Sequence, residues 1–164
     1  DELTRHGTTT AVIFASAHVD TCRALVSAVV ARGGPRAFVG KVNMDRFCPD
    51  DYVETTEQSL VDTAAFIKYV KAANANASPP LVVPVVTPRF LPTCTPQLLR
   101  GLGELAAEHQ VPVQSHMSES CDEVAFSASL FDGQTDAAVF DSFGLLRAPS
   151  VLAHCVHLQE GEEE

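Results

Sequence analysis

Five short runs dense in β-branched and other apolar residues recur along this chain, over residues 8–15, 37–42, 81–87, 111–116 and 151–154. Most are near-continuous rather than alternating, the pattern of a strand buried on both faces. Between them the apolar residues switch to helical spacing. Cys22, Leu25, Val26 and Val29 make one stripe over residues 19–31, stopped by Gly33-Gly34. Leu60, Ala64, Ile67 and Val70 make another over 56–73. A third, over 96–109, carries Leu98, Leu99, Leu102, Leu105 and Ala106 behind Thr95-Pro96, an N-cap followed by proline at the first helical position. Weaker helical patterns cover 122–130 and 137–143. Strand then helix, repeated, dictates a parallel sheet with right-handed crossovers, an α/β fold. Two architectures fit: a doubly wound open sheet and part of a (β/α)8 barrel. At 164 residues the length favours the open sheet, because a whole barrel takes about 250.

Both ends look abrupt. Leu3 and Arg5 run into His6-Gly7 as if closing a helix, and residues 158–164 are acidic, which suits a helix's first turn or a plain acidic tail. Composition narrows the partners. A net charge of −10 argues against nucleic acid or an anionic membrane surface. No apolar run approaches the roughly 18 residues of a membrane span, and the first residues lack the apolar core of a signal peptide. Five cysteines, an odd number with no C-x-x-C, point to a reducing compartment, so a cytoplasmic location is expected.

Chemistry-bearing residues gather just after the strand runs, where parallel α/β folds build their sites. In Gln114-Ser115-His116-Met117-Ser118-Glu119, alternation puts Gln114 and His116 on one face and Val111 and Val113 on the other. His116 can reach a metal from the strand end, and Glu119 can shuttle a proton beside it. The blander reading is a lone histidine with Glu119 capping the next helix. Val151-Leu152-Ala153-His154 ends a second apolar strand in a histidine, either beside the same centre or hydrogen-bonded in the core. Arg89 and Phe90 follow the third run directly. A guanidinium there can meet a planar polar ligand with an aromatic wall beside it, or sit in a rim salt bridge. Lys41, within a strand, suits a lysine paired with Asp45 or another rim carboxylate better than a carboxylated metal bridge. No G-x-S-x-G and no H-E-x-x-H is present.

Taken in order, His6-Gly7-Thr8-Thr9-Thr10, Phe38-Val39-Gly40-Lys41-Val42-Asn43-Met44-Asp45, Glu54-Thr55-Thr56-Glu57-Gln58-Ser59, Thr87-Pro88-Arg89-Phe90, Ser115-His116-Met117-Ser118-Glu119 and Val151-Leu152-Ala153-His154 resemble the guanine deaminase family of the amidohydrolase superfamily. The resemblance spans nearly the whole chain. It implies an incomplete (β/α)8 barrel, about strands two to six with their helices, so that residues 1–164 form a partial catalytic domain lacking the first strand and the last strands. It also implies hydrolytic deamination of guanine to xanthine and ammonia, with Zn2+ as cofactor. On this resemblance His116 is a metal ligand, Glu119 the proton shuttle and His154 the group orienting the attacking water. Arg89 and Phe90 contact the purine, with His116 and Glu119 also at the substrate. A homodimer is implied for a full-length parent. The family's H-x-H after strand one and its aspartate after strand eight have no counterpart here, so the chain alone is expected to hold zinc weakly and to be inactive. The competing expectations are a non-catalytic truncated α/β module, an amidohydrolase acting on another ring amine or halide, and an open-sheet ligand-binding module in which Arg89, His116 and His154 do not converge.

Overall fold

A computed structural model of the chain describes residues 2–162. The order is α1 (Glu2–Arg5), β1 (Thr10–Phe14), α2 (Val19–Arg32), β2 (Arg36–Asn43), α3 (Thr56–Ala73), β3 (Val82–Pro88), a 3-10 turn (Leu91–Thr93), α4 (Pro96–His109), β4 (Val113–Met117), α5 (Cys121–Leu130), α6 (Asp136–Ser142) and β5 (Ser150–His154). Every expected strand and helix is present, with boundaries moved by up to two residues. The 3-10 turn was not legible in the sequence.

The five strands pair in parallel in the order β1-β2-β3-β4-β5. That order decides between the two architectures. A doubly wound sheet reverses direction at a switch point, whereas right-handed crossovers between strands in unbroken sequence put every helix on one face. The sheet is therefore an arc of a barrel, and the length-based preference for an open sheet is overturned. The outer face is a dry core. Val39 and Val82 pack with Cys22 and Val26 of α2 and Phe66 and Val70 of α3. Val86, Val113 and Met117 pack with Leu98, Leu99 and Leu102 of α4 and Phe140 of α6. Each fully buried leucine of α4 contributes about 1.5–3 kcal/mol of transfer free energy.

Local chemistry sets the helix ends, and the sequence indicated two of them, Gly33 and Thr95. Gly33 closes α2 at φ +62°, a left-handed position that favours glycine. Thr55, Thr95 and Thr135 start α3, α4 and α6 by accepting the N–H of Gln58, Leu98 and Ala138. The inner face is the concave side of the arc. There Gly40 lies against the Thr87 hydroxyl and the Gln114 amide, and a Cβ at position 40 would collide with Thr87 Oγ1. No described helix is long and apolar enough to cross a membrane.

Candidate active site

The carboxyl ends of β2, β3, β4 and β5 bring the expected residues to one place. His116 leaves β4 toward the concave side, sharing that face with Gln114, as alternation required. Its ring lies 4.3 Å from that of Phe14, centroid to centroid. Its Nδ1 sits 2.9 Å from the backbone carbonyl of Arg89. A carbonyl can only accept, so that nitrogen carries the proton and the Nε2 lone pair is left free.

His154 reaches the same point by a different route. Leu152 faces the outer core, and alternation alone would send His154 the same way. Instead His154 and Cys155 take left-handed backbone angles, φ +75° and +50°. The chain reverses at the strand end, and the His154 ring stacks on His116 with centroids 5.3 Å apart and planes 27° apart. Its Nε2 lies 3.5 Å from Glu119 Oε1. Glu119 therefore does not spend its carboxylate on capping. The cap of α5 is Ser120, whose hydroxyl accepts the N–H of Glu123.

Arg89 follows β3, its N–H donating to the carbonyl of Asn43 at 3.2 Å. The guanidinium is exposed and, among the described residues, no carboxylate forms an ion pair with it. The rim salt bridge considered from the sequence is absent there. Arg89 and His116 instead line one hollow of about 340 Å³, together with Phe14, Val42, Met44 and Tyr52. An adjoining hollow of about 430 Å³ runs between Arg89, Phe90, Phe47, Cys48 and Tyr52. A planar polar ligand fits such a place, with aromatic walls and, at its edge, a guanidinium whose side-chain contact is with Met44 Sδ at 3.9 Å. Met44, Phe47 and Tyr52 were missed from the sequence. They ride on the long β2–α3 connection, and nothing in their spacing marks it as a wall.

That connection is pinned at both ends. Lys41 is fully buried on the helix side of β2 and donates to both carboxylate oxygens of Glu54, at 2.7 and 2.6 Å. Lys41 is thus the paired structural lysine, with Glu54 rather than Asp45 as its partner. Asp45 accepts from the N–H and hydroxyl of Thr95 and from the hydroxyl of Thr56, at 2.8, 2.6 and 2.7 Å. It ties the loop to the starts of α3 and α4.

The described residues contain no group of three or more His, Cys, Asp or Glu side chains arranged to hold a metal. A tautomer fixed by a backbone carbonyl is what a metal-binding imidazole needs, so His116 fits the role of one ligand.

The Amidohydrolase family model matches residues 1–164. This chain belongs to that family. Among curated amidohydrolase relatives, the guanine deaminase of Dictyostelium discoideum is 45% identical over 99% of this chain and 35% of its own length. Among solved structures, guanine deaminase from C. acetobutylicum with guanine bound in its active site superposes with a TM-score of 0.90 at 40% identity, covering 98% of this chain and 37% of that one. The E. coli guanine deaminase superposes with a TM-score of 0.84 at 33% identity, covering 96% of this chain and 36% of that one. The chain thus spans about a third of the length of the relatives it matches. A partial chain carrying five consecutive strands of an amidohydrolase barrel accounts for both the strand order and the open arc.

Proposed function

We propose that this chain is the part of a guanine deaminase that supplies the proton shuttle and half of the purine pocket, and that the complete enzyme converts guanine and water to xanthine and ammonia. The observation that carries this reading is the meeting of His116, His154 and Glu119 beside Arg89, which has no carboxylate partner among the described residues. The similarity to a guanine-bound structure at a TM-score of 0.90 supports guanine as the planar ligand.

The chemistry balances with the groups present. Water adds its oxygen to the ring carbon bearing the amine, and the bond from that carbon to the amine nitrogen breaks. Glu119 takes a proton from the attacking water and returns it to the departing nitrogen, which leaves as ammonia, while the remaining hydroxyl proton moves to the adjacent ring nitrogen to give xanthine. His154, whose Nε2 lies 3.5 Å from Glu119, is placed to orient the water beside the pair. Arg89 donates paired hydrogen bonds to the purine edge, and Phe90 walls the ring from the adjoining hollow. Zinc, when bound, supplies acidification of water near neutral pH. The free Nε2 of His116 fits it as a ligand, and a tetrahedral site takes further ligands from beyond these residues.

The test compares the 164-residue chain with a protein of the relatives' full length that contains it. Xanthine formation from guanine and about one zinc per chain are expected for the long protein alone, zinc enzymes commonly carrying one metal per catalytic centre. In the long protein Glu119→Gln should lower kcat by about 100-fold or more, the size of a general acid–base contribution. A long protein that holds zinc but turns over a different ring amine would replace guanine as the substrate. One that neither binds zinc nor deaminates would remove the catalytic reading.

A further inference from the structure

Behind the Glu119 loop lie two carboxylates that the reaction does not use. Asp136 opens α6 and is 3% exposed; Glu123 stands in the first turn of α5. They grip adjacent peptide groups. Asp136 Oδ2 accepts the N–H of Ser118 at 3.0 Å, and Glu123 Oε2 accepts the N–H of Glu119 at 3.2 Å. A carboxylate in a helix's first turn ordinarily serves its own helix. Here both carboxylates accept from the two residues preceding the cap of α5.

The peptide being held needs holding. Ser118 has φ +48°, a left-handed position for a residue with a side chain. Its carbonyl accepts from the N–H groups of Val156 and His157, both at 3.0 Å, just beyond the reversal that aims His154. Ser118 is thus fastened on its N–H side to α6 and on its carbonyl side to the end of β5. Glu119 follows it directly, so the same fastening sets the distance between Glu119 and His154. Ser127, one turn further along α5, donates to Glu123 Oε1 at 2.8 Å and keeps that carboxylate turned toward the loop.

We propose that Asp136 and Glu123 are positioning residues for proton transfer: they clamp the backbone of Ser118 and Glu119 so that the Glu119 carboxylate faces His154. The inference rests on the reading of Glu119 as the shuttle. It predicts that loosening the clamp slows the chemical step without weakening guanine binding, because Arg89 and Phe90 follow a different strand, β3. A small misplacement of a reacting group costs rate steeply.

The test uses the full-length enzyme and steady-state kinetics with guanine. Glu123→Ala should lower kcat by about tenfold or more with KM within about twofold. Glu123→Gln retains an oxygen that can accept from Glu119 and should restore most of the loss. Ser127→Ala leaves both carboxylates in place, disturbs folding least and should move kcat in the same direction at constant KM. If Glu123→Ala does not fold, the Ser127→Ala and Glu123→Gln pair decides. Unchanged kcat in Ser127→Ala, a rise in KM at constant kcat, or a Glu123→Gln variant as slow as Glu123→Ala would overturn the clamp. An unmodified enzyme that makes no xanthine would instead remove the reading beneath it.

Discussion

Lys41 has no exposed surface; its Nζ donates to the Val42 carbonyl at 3.2 Å, and its one carboxylate partner among the described residues is Glu54. Breaking a buried pair leaves an uncompensated charge, which costs about 3–5 kcal/mol. Glu54→Ala should therefore lower the melting temperature markedly, and adding Lys41→Met should recover much of the loss. Calorimetry on the three proteins checks this. Gly40 makes a complementary case, one of space rather than charge. Alanine there would collide with Thr87 Oγ1 on the inner face. The thiols separate by burial in the same way. Burial pushes Cys94 up to about 12, so almost none is thiolate at pH 8, whereas Cys121 is exposed. Brief alkylation of the native protein followed by mass mapping should label Cys121 and spare Cys94. The sequence showed that Lys41 needed a carboxylate but not which one, because Glu54 lies 13 residues away across an irregular loop.

At the scale of elements, α5 and α6 carry the pH response. Burial raises the pKa of both Glu123 and Asp136, and the negative charge of Asp136 raises Glu123 further. An acid that titrates higher in the fold than in the unfolded chain binds its proton more tightly when folded. The stability this contributes is fully present below the ordinary carboxylate range and is lost as pH rises through the raised values. Glutamine imitates the protonated acid at every pH. Glu123→Gln should thus melt above the unmodified protein at neutral pH, with the gap closing as the solution is acidified. A gap that stays constant with pH would count against the raised value. The sequence offered Glu119 as a cap for this helix, whereas Ser120 caps it. It did not show that Glu123 reaches back past the cap to Glu119, nor that Asp136 joins it from another helix. Those contacts depend on where α6 packs.

On the scale of the whole molecule, the unbroken strand order leaves β1 and β5 as open edges and the inner face uncovered. Val12 on one edge is 41% exposed and Val151 on the other 51%. Unpaired strand edges with apolar side chains recruit other strands. The 164-residue chain alone should self-associate at micromolar concentration, and a protein that closes the barrel should not; sedimentation velocity distinguishes the two. The repeated β and α elements were legible because their periodicities differ, and their meaning as a barrel arc came from motif resemblance, against the argument from length. Of the site, Arg89 stood out in the sequence because it follows a strand directly, and His116 because it lies at a strand's end. The left-handed turn that aims His154 was not, since a histidine at a strand end does not reveal which face its ring will take.

That turn ties durability to chemistry. His154 occupies a backbone position in which glycine would be more at ease, and so does Cys155 after it. Variants selected for heat resistance alone would drift toward glycine at these two positions. A gain in robustness at position 154 would remove the imidazole that faces Glu119, whereas one at position 155 would leave it in place.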